Sequence, residues 1–113
     1  MTGSLKISRI QDSLIINMNP LVITSVYHGT TPSEFLDFWQ SLASQSFQNF
    51  TLCLYMDGFI SSMLESCIHT CIKSSTFPVK IITSSSNMGL AKALNAMVLW
   101  GLCNKFDVFI RAD

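Results

Sequence analysis

Two hydrophobic periods alternate along this chain. Four short runs, Leu21 to Tyr27, Phe50 to Met56, Val79 to Thr83 and Asp107 to Arg111, are rich in β-branched or aromatic residues. The first two are near-continuously apolar, as expected of strands covered on both faces. Between the runs lie three stretches with helical spacing. In the first, Thr31-Pro32-Ser33-Glu34 is a start signal: Thr31 suits the cap, Pro32 the first turn, and Glu34 sits three residues after the cap. Phe35, Leu36, Phe38, Trp39, Leu42 and Ala43 then follow the helical period. The second helix is expected from about Ile60 to Lys73, with Met63, Leu64, Cys67, Ile68 and Cys71 inward. The third is expected from Leu90 to Cys103, with Ala91, Leu94, Met97, Val98 and Gly101 or Leu102 inward.

The element order is thus β-α-β-α-β-α-β, and each connection is long enough for a helical crossover. Such alternation predicts an α/β fold, a parallel sheet with helices on both faces. The expected strand order is 3-2-1-4, reversing between strands one and four. No linker, repeat or low-complexity tract interrupts residues 21 to 113; residues 1 to 20 form an N-terminal extension.

Composition narrows the function. The chain is 113 residues, 49% hydrophobic and 12% charged, with seven basic and seven acidic residues and zero net charge. That suits one well-cored domain. The absence of any basic run argues against a nucleic-acid partner held through phosphates. No run approaches the roughly 18 apolar residues of a membrane span, and the N-terminus lacks the layout of a signal peptide. The chain is expected to be cytoplasmic, either free or peripheral at the inner face of a membrane, with reduced Cys53, Cys67, Cys71 and Cys103.

In open parallel sheets, ligands bind beyond the carboxyl ends of the strands, where the strand order reverses. The polar residues fall there. Strand one ends in Tyr27-His28-Gly29, strand two in Asp57-Gly58, strand three in Ser84 to Asn87 followed by Met88-Gly89, and strand four in Arg111-Ala112-Asp113. Carboxylates, hydroxyls, an amide and a guanidinium on one rim suit a nucleotide: carboxylates accept from ribose hydroxyls or a base N–H, and helix N-termini favour phosphate.

The same segments resemble the family 2 glycosyltransferases. Val22 to Tyr27 is similar to their opening strand, and Ser41-Leu-Ala-Ser-Gln45-Ser-Phe47 to their "S-I-x-x-Q-T-y" helix end. Leu54-Tyr-Met-Asp57-Gly58 resembles "L-V-D-D-G", and Asn87-Met-Gly89-Leu90-Ala-Lys92-Ala-Leu94-Asn95 resembles "N-x-G-L-x-x-A-L-N". Phe109-Ile-Arg111-Ala-Asp113 resembles "I-A-R-M-D", which "x-D-D" would follow. The pieces span residues 21 to 113 in the family's order, and look most like bacterial enzymes that build surface polysaccharide such as capsule or lipopolysaccharide.

The resemblance implies a Rossmann-like GT-A fold, here truncated after the fourth strand, and a nucleotide-sugar donor, commonly a UDP-sugar. It implies nucleotide contacts from Tyr27, Asp57, Asn87, Gly89, Lys92, Arg111 and Asp113, with Tyr27 and Asp57 flanking the base and Asp113 near the ribose. It further implies Mn or Mg in the full-length enzyme, held by an Asp beyond this chain, and a saccharide or lipid-linked acceptor bound further on. The 113-residue chain alone is therefore expected to transfer no sugar. His28 stands where the family often has Asn, and Met56 replaces the first acid of "D-D-G".

Plainer roles compete with these. Asp57-Gly58 suits a simple turn, Arg111 could pair with Asp57 or Asp113, and Tyr27 could merely pack. Cys67 and Cys71, with His69 between, share one helix face, but that face is the apolar stripe and no second ligand pair exists. His28-Gly29-Thr30-Thr31 does not supply the dinucleotide-binding G-x-G-x-x-G. Ser25 and Ser84 lack the surroundings of a nucleophile elbow. A non-enzymatic nucleotide-binding or self-associating module, joined through an exposed sheet edge, is the alternative to an enzyme half.

Overall fold

The structure, a computed structural model, describes residues 18–112. Asp113 and nearly all of the N-terminal extension lie outside the described residues. The elements alternate as β1 (Pro20–Val26), α1 (Pro32–Ala43), β2 (Thr51–Asp57), α2 (Ser62–Lys73), β3 (Val79–Ser84), α3 (Leu90–Cys103) and β4 (Val108–Arg111). The four strands form one sheet in the order β3-β2-β1-β4, and every pairing is parallel. Register places Ile23 beside both Cys53 and Arg111, and Asp57 beside Ser84.

Burial follows position in the sheet. The inner strands β1 and β2 are almost wholly buried, whereas β3 and β4, at the edges, are mostly half-exposed. Because side chains alternate across a strand, β1 and β2 feed two cores. Val22, Val26, Leu52 and Leu54 meet Phe35, Phe38 and Leu42 of α1 and Leu64 and Ile68 of α2. Leu21, Ile23, Cys53 and Tyr55 meet Ala93 and Met97 of α3. The helices therefore cover both faces, which explains the uninterrupted apolar runs of the inner strands.

Local chemistry sets the helix limits. At α1, the Thr31 hydroxyl accepts from the Glu34 N–H at 3.1 Å, and the Thr31 N–H donates to Glu34 Oε1 at 3.0 Å. That is a complete capping box. α2 begins at Ser62, not near Ile60, because the Ser61 hydroxyl accepts from the Leu64 N–H at 3.1 Å and caps there. Four positions expected inward are turned out: Met63 is 73% exposed, and Leu36, Ala43 and Ala91 also face solvent. On α3 the buried stripe runs through Ala93, Met97 and Gly101, with Leu94 and Val98 beside it. Ala91 lies well round the helix from that stripe, and Leu102 is exposed too.

Gly101 lets α3 lie close to the sheet. A Cβ there would come within 2.4 Å of Phe109 Cε1 and 2.8 Å of Leu21 Cδ2. Four residues later the helix ends in a Schellman motif. Phe106 N–H donates to Gly101 O at 2.9 Å and Lys105 N–H to Leu102 O at 3.3 Å, with Lys105 at φ 67°. Glycine is the usual residue there, since an L side chain at positive φ costs about 1 kcal/mol or more. Part of that gain is offset by the greater freedom of glycine in the unfolded chain. Lys105→Gly is expected to stabilise the domain by roughly 0.5 kcal/mol, read as a higher urea midpoint at unchanged m-value. A lower midpoint would show that the lysine stem contributes more than the strained φ costs.

Candidate functional site

A cleft of about 420 Å³ opens at the carboxyl ends of the strands, between β1 and the loop that precedes α3. It lies beside the reversal of strand order between β1 and β4. Tyr27, Gly29 and Thr30 line it from the turn after β1, Asp57 from the end of β2, and Asn87 and Gly89 from the loop before α3. Thr24 and Ser25 form part of its floor, and Leu90 and Leu94 an apolar wall.

The four residues Tyr27, Asp57, Asn87 and Gly89 are thus brought to one cavity. Lys92 and Arg111 are exposed and are not among its lining residues. The lining carries two carboxylates, Glu34 and Asp57, and no Lys or Arg among the described residues. A cavity of that charge suits neutral hydrogen-bonding groups better than phosphate. Asp113 lies outside the described residues, but its neighbour Ala112 lines the cleft. Ala112 is fixed on both sides: its N–H donates to Ile23 O at 3.0 Å, and its carbonyl accepts from the buried Thr24 hydroxyl at 2.7 Å.

Asp57 is the organising group. It is only 5% exposed, and its carboxylate reaches across to the loop before α3. Oδ1 accepts from Met88 N–H at 2.6 Å and Oδ2 from Gly89 N–H at 3.0 Å; Ser84 Oγ stands 3.3 Å from Oδ1, with its one proton directed to the nearer Ser86 O. Gly89 is the N-cap of α3 and has no side chain to cap with; Asp57 reaches its N–H from β2 and sets a carboxylate at the helix N-terminus. The helix dipole adds to that attraction. A carboxylate offers about four lone-pair positions; the two backbone N–H groups take one on each oxygen, which leaves one free on Oδ2. Asn87 Oδ1 also accepts from Gly89 N–H at 3.0 Å, which orients the amide and leaves Nδ2 as a donor.

The loop's closeness to β2 depends on Gly58, at φ 79°, whose N–H donates to Ser84 Oγ at 3.1 Å. Ser84 Oγ also donates to Ser86 O at 2.8 Å. Ser84 therefore ties the end of β3 to β2 and to the loop, a part that sequence alone did not assign. Its only trace in the sequence was its place in the polar stretch after strand three.

On the opposite wall, Tyr27 begins a turn. Thr30 N–H donates to Tyr27 O at 3.0 Å, and Tyr27 N–H donates to Thr30 Oγ1 at 3.2 Å. The Tyr27 ring is 47% exposed and meets the His28 ring edge-on at 5.1 Å between centroids. Glu34, at the start of α1, has its carboxyl held below the ordinary range, first by the Thr31 N–H and then by the Thr31 hydroxyl.

The cysteines lie away from this cleft and are all free. Burial pushes the Cys53 thiol up to about 11 against a smaller opposing pull from Lys80. Burial, then neighbouring Cys67, does the same to Cys71. Both therefore stay protonated at neutral pH as apolar core groups. Among the described residues no three His, Cys, Asp or Glu side chains cluster so as to hold a metal ion. None of the described helices is long and apolar enough to cross a membrane.

The chain matches no protein-family model, no curated protein and no solved structure.

Proposed function

We propose that this chain binds the nucleoside end of a sugar nucleotide, a UDP-sugar in the first instance, as the donor-binding half of a family 2 glycosyltransferase of GT-A fold. One observation carries the reading. The residues of the "D-G" and "N-x-G" segments, far apart in sequence, are tied to each other through Asp57, Met88 and Gly89, and they face Tyr27 across one cleft. That cleft stands at the strand ends, where open parallel sheets bind ligands. Its chemistry suits a uracil edge: the remaining Asp57 lone pair accepts the ring N–H, and Asn87 Nδ2 donates to a flanking carbonyl. Ribose hydroxyls have Thr30 and Ser25 within the same lining.

The diphosphate has no cationic partner in this lining. In the family pattern its charge is met by a divalent cation, Mn or Mg, which stabilises the leaving group. The described residues do not fit such an ion, and no step is assigned to it. Transfer to a saccharide or lipid-linked acceptor of a surface polysaccharide would be the activity of the enzyme to which this half belongs.

Calorimetry or NMR titration of the chain with UDP, UMP, AMP and NAD tests the proposal. Uridine nucleotides are expected to bind about tenfold tighter than adenine nucleotides, a difference of about 1.4 kcal/mol, with UDP no tighter than UMP. Tight NAD or AMP binding would overturn the assignment. A self-associating module is the second reading. Leu99 and Leu102 on α3 are 63% and 58% exposed, and β4 forms an open sheet edge. A stable dimer with no affinity for any of the four nucleotides would select it.

A further inference from the structure

Gly29 has no backbone reason to be glycine. It is the third residue of the turn closed by Thr30 N–H on Tyr27 O. Among the described residues the glycines at positive φ are Gly58 and Gly89, so Gly29 lies outside the region that disfavours side chains. A turn of this kind accepts most residues at its third position, unlike the type II turn, which demands glycine there. What fills the space is the Tyr27 ring. A Cβ on Gly29 would lie 2.6 Å from Tyr27 Cε2 and Cζ and 2.7 Å from its Oη. The first residue of the turn has folded its ring across the Cα of the third, and both line the cleft.

We infer that Gly29 is a positioning residue: it is the bare shelf on which the Tyr27 ring rests, and it sets the height at which that ring meets the planar group of the ligand. The role of the ring as a stacking surface rests on the function proposed above. The position of the ring does not. His28, edge-on to the ring, limits its sideways movement. The turn bonds through Thr30 fix the backbone beneath it. A methyl at position 29 therefore forces the ring off the turn, into the cleft mouth or away from it. The colliding atoms are the far end of an exposed side chain, so the fold itself should survive the change.

Two measurements separate this inference from the nucleotide reading. The first uses the ligand-free protein. The ring should shift the Gly29 α-proton resonances upfield, and Tyr27→Ala should abolish that shift. Tyr27→Phe should retain it. In Gly29→Ala, the Tyr27 ring protons should move while the melting temperature stays within a few degrees. Unchanged Tyr27 ring shifts in Gly29→Ala would overturn the positioning claim whatever the ligand is. The second measurement is binding of UMP to wild type, Gly29→Ala, Tyr27→Ala and the double variant. Base–aromatic stacking predicts about a tenfold loss for Tyr27→Ala. Gly29→Ala should lose a similar factor, and the double variant should be no weaker than Tyr27→Ala alone. Independent, multiplying losses would mean that Gly29 acts other than through the ring, and would also overturn the inference. Failure of wild type to bind UMP would instead count against the nucleotide reading, and the resonance test would still decide the role of Gly29.

Discussion

Asp57→Ala should cost the domain about 3 kcal/mol and abolish nucleotide binding. The stability loss has three sources. The carboxylate accepts two backbone N–H bonds, from Met88 at 2.6 Å and Gly89 at 3.0 Å, and charge-assisted bonds of this kind are worth roughly 1.5–3 kcal/mol each. It also sets a negative charge at the positive end of the α3 dipole, worth roughly 0.3–1 kcal/mol. Against these, Met88 and Gly89 are exposed enough for water to take over part of the bonding, so the sum is discounted to the stated figure. Asp57→Asn should lose nearly as much. An amide keeps the shape, but it offers the loop an NH2 group where an acceptor was needed, and the charge near the helix N-terminus is gone. Ser84→Ala, which removes the acceptor of Gly58 N–H at 3.1 Å and the donor to Ser86 O at 2.8 Å, should cost about 1–2 kcal/mol. Urea denaturation gives the energies, and amide exchange at Met88 and Gly89 localises them. If Asp57→Ala melts like wild type and those two amides exchange no faster, Asp57 does not hold the loop.

This double duty of Asp57 could not be read from sequence. A carboxylate at a strand end looks the same whether it accepts from a ligand or from a neighbouring loop. The distinction needs the register that sets Asp57 beside Ser84, a contact between residues 27 apart. Locally written features were legible. The Thr31 to Glu34 box states its own helix start, and the near-continuous apolar runs of β1 and β2 state that both their faces are covered. The alternation of elements led to the parallel sheet, and the observed order β3-β2-β1-β4 is the one expected. Helix phase was less legible. Period alone gives the width of an apolar stripe, but Met63 falls at its margin, and on the largely apolar α3, where Ala91 faces away, only the packed sheet decides which side is covered. The end of α3 was legible at Cys103 from the apolar period, although its left-handed residue is Lys105 and the usual glycine marker is absent. Within the site, Gly29 was placed at the end of strand one, but its relation to the Tyr27 ring depends on the folded turn.

Gly58→Ala should be the most damaging single-methyl addition at the rim, with a loss of about 3 kcal/mol and a collapse of nucleotide affinity. Two costs add at this position. Gly58 sits at φ 79°, where an alanine pays roughly 1 kcal/mol or more. Its Cβ would also lie 2.8 Å from Asn87 N and 3.1 Å from Asn87 Cα. These are backbone atoms, which cannot swing aside as a side chain would, so the loop must move as a unit; forcing atoms into a packed contact costs about 1–3 kcal/mol. Moving the loop draws Met88 and Gly89 off Asp57 and carries Asn87 away from the cleft, so the energetic and functional losses share one cause. Gly58→Asn separates the two costs. Asparagine tolerates positive φ better than alanine, yet its Cβ makes the same collision. The Asn variant should therefore remain within about 1 kcal/mol of the Ala variant, the relief in backbone strain being the smaller part. Gly89→Ala supplies the converse: φ is 89° but nothing lies within 4 Å of the added carbon, so its cost is conformational alone. Recovery of wild-type stability by Gly58→Asn would show that φ governs this position, and that the close approach of Asn87 does not hold the loop against β2.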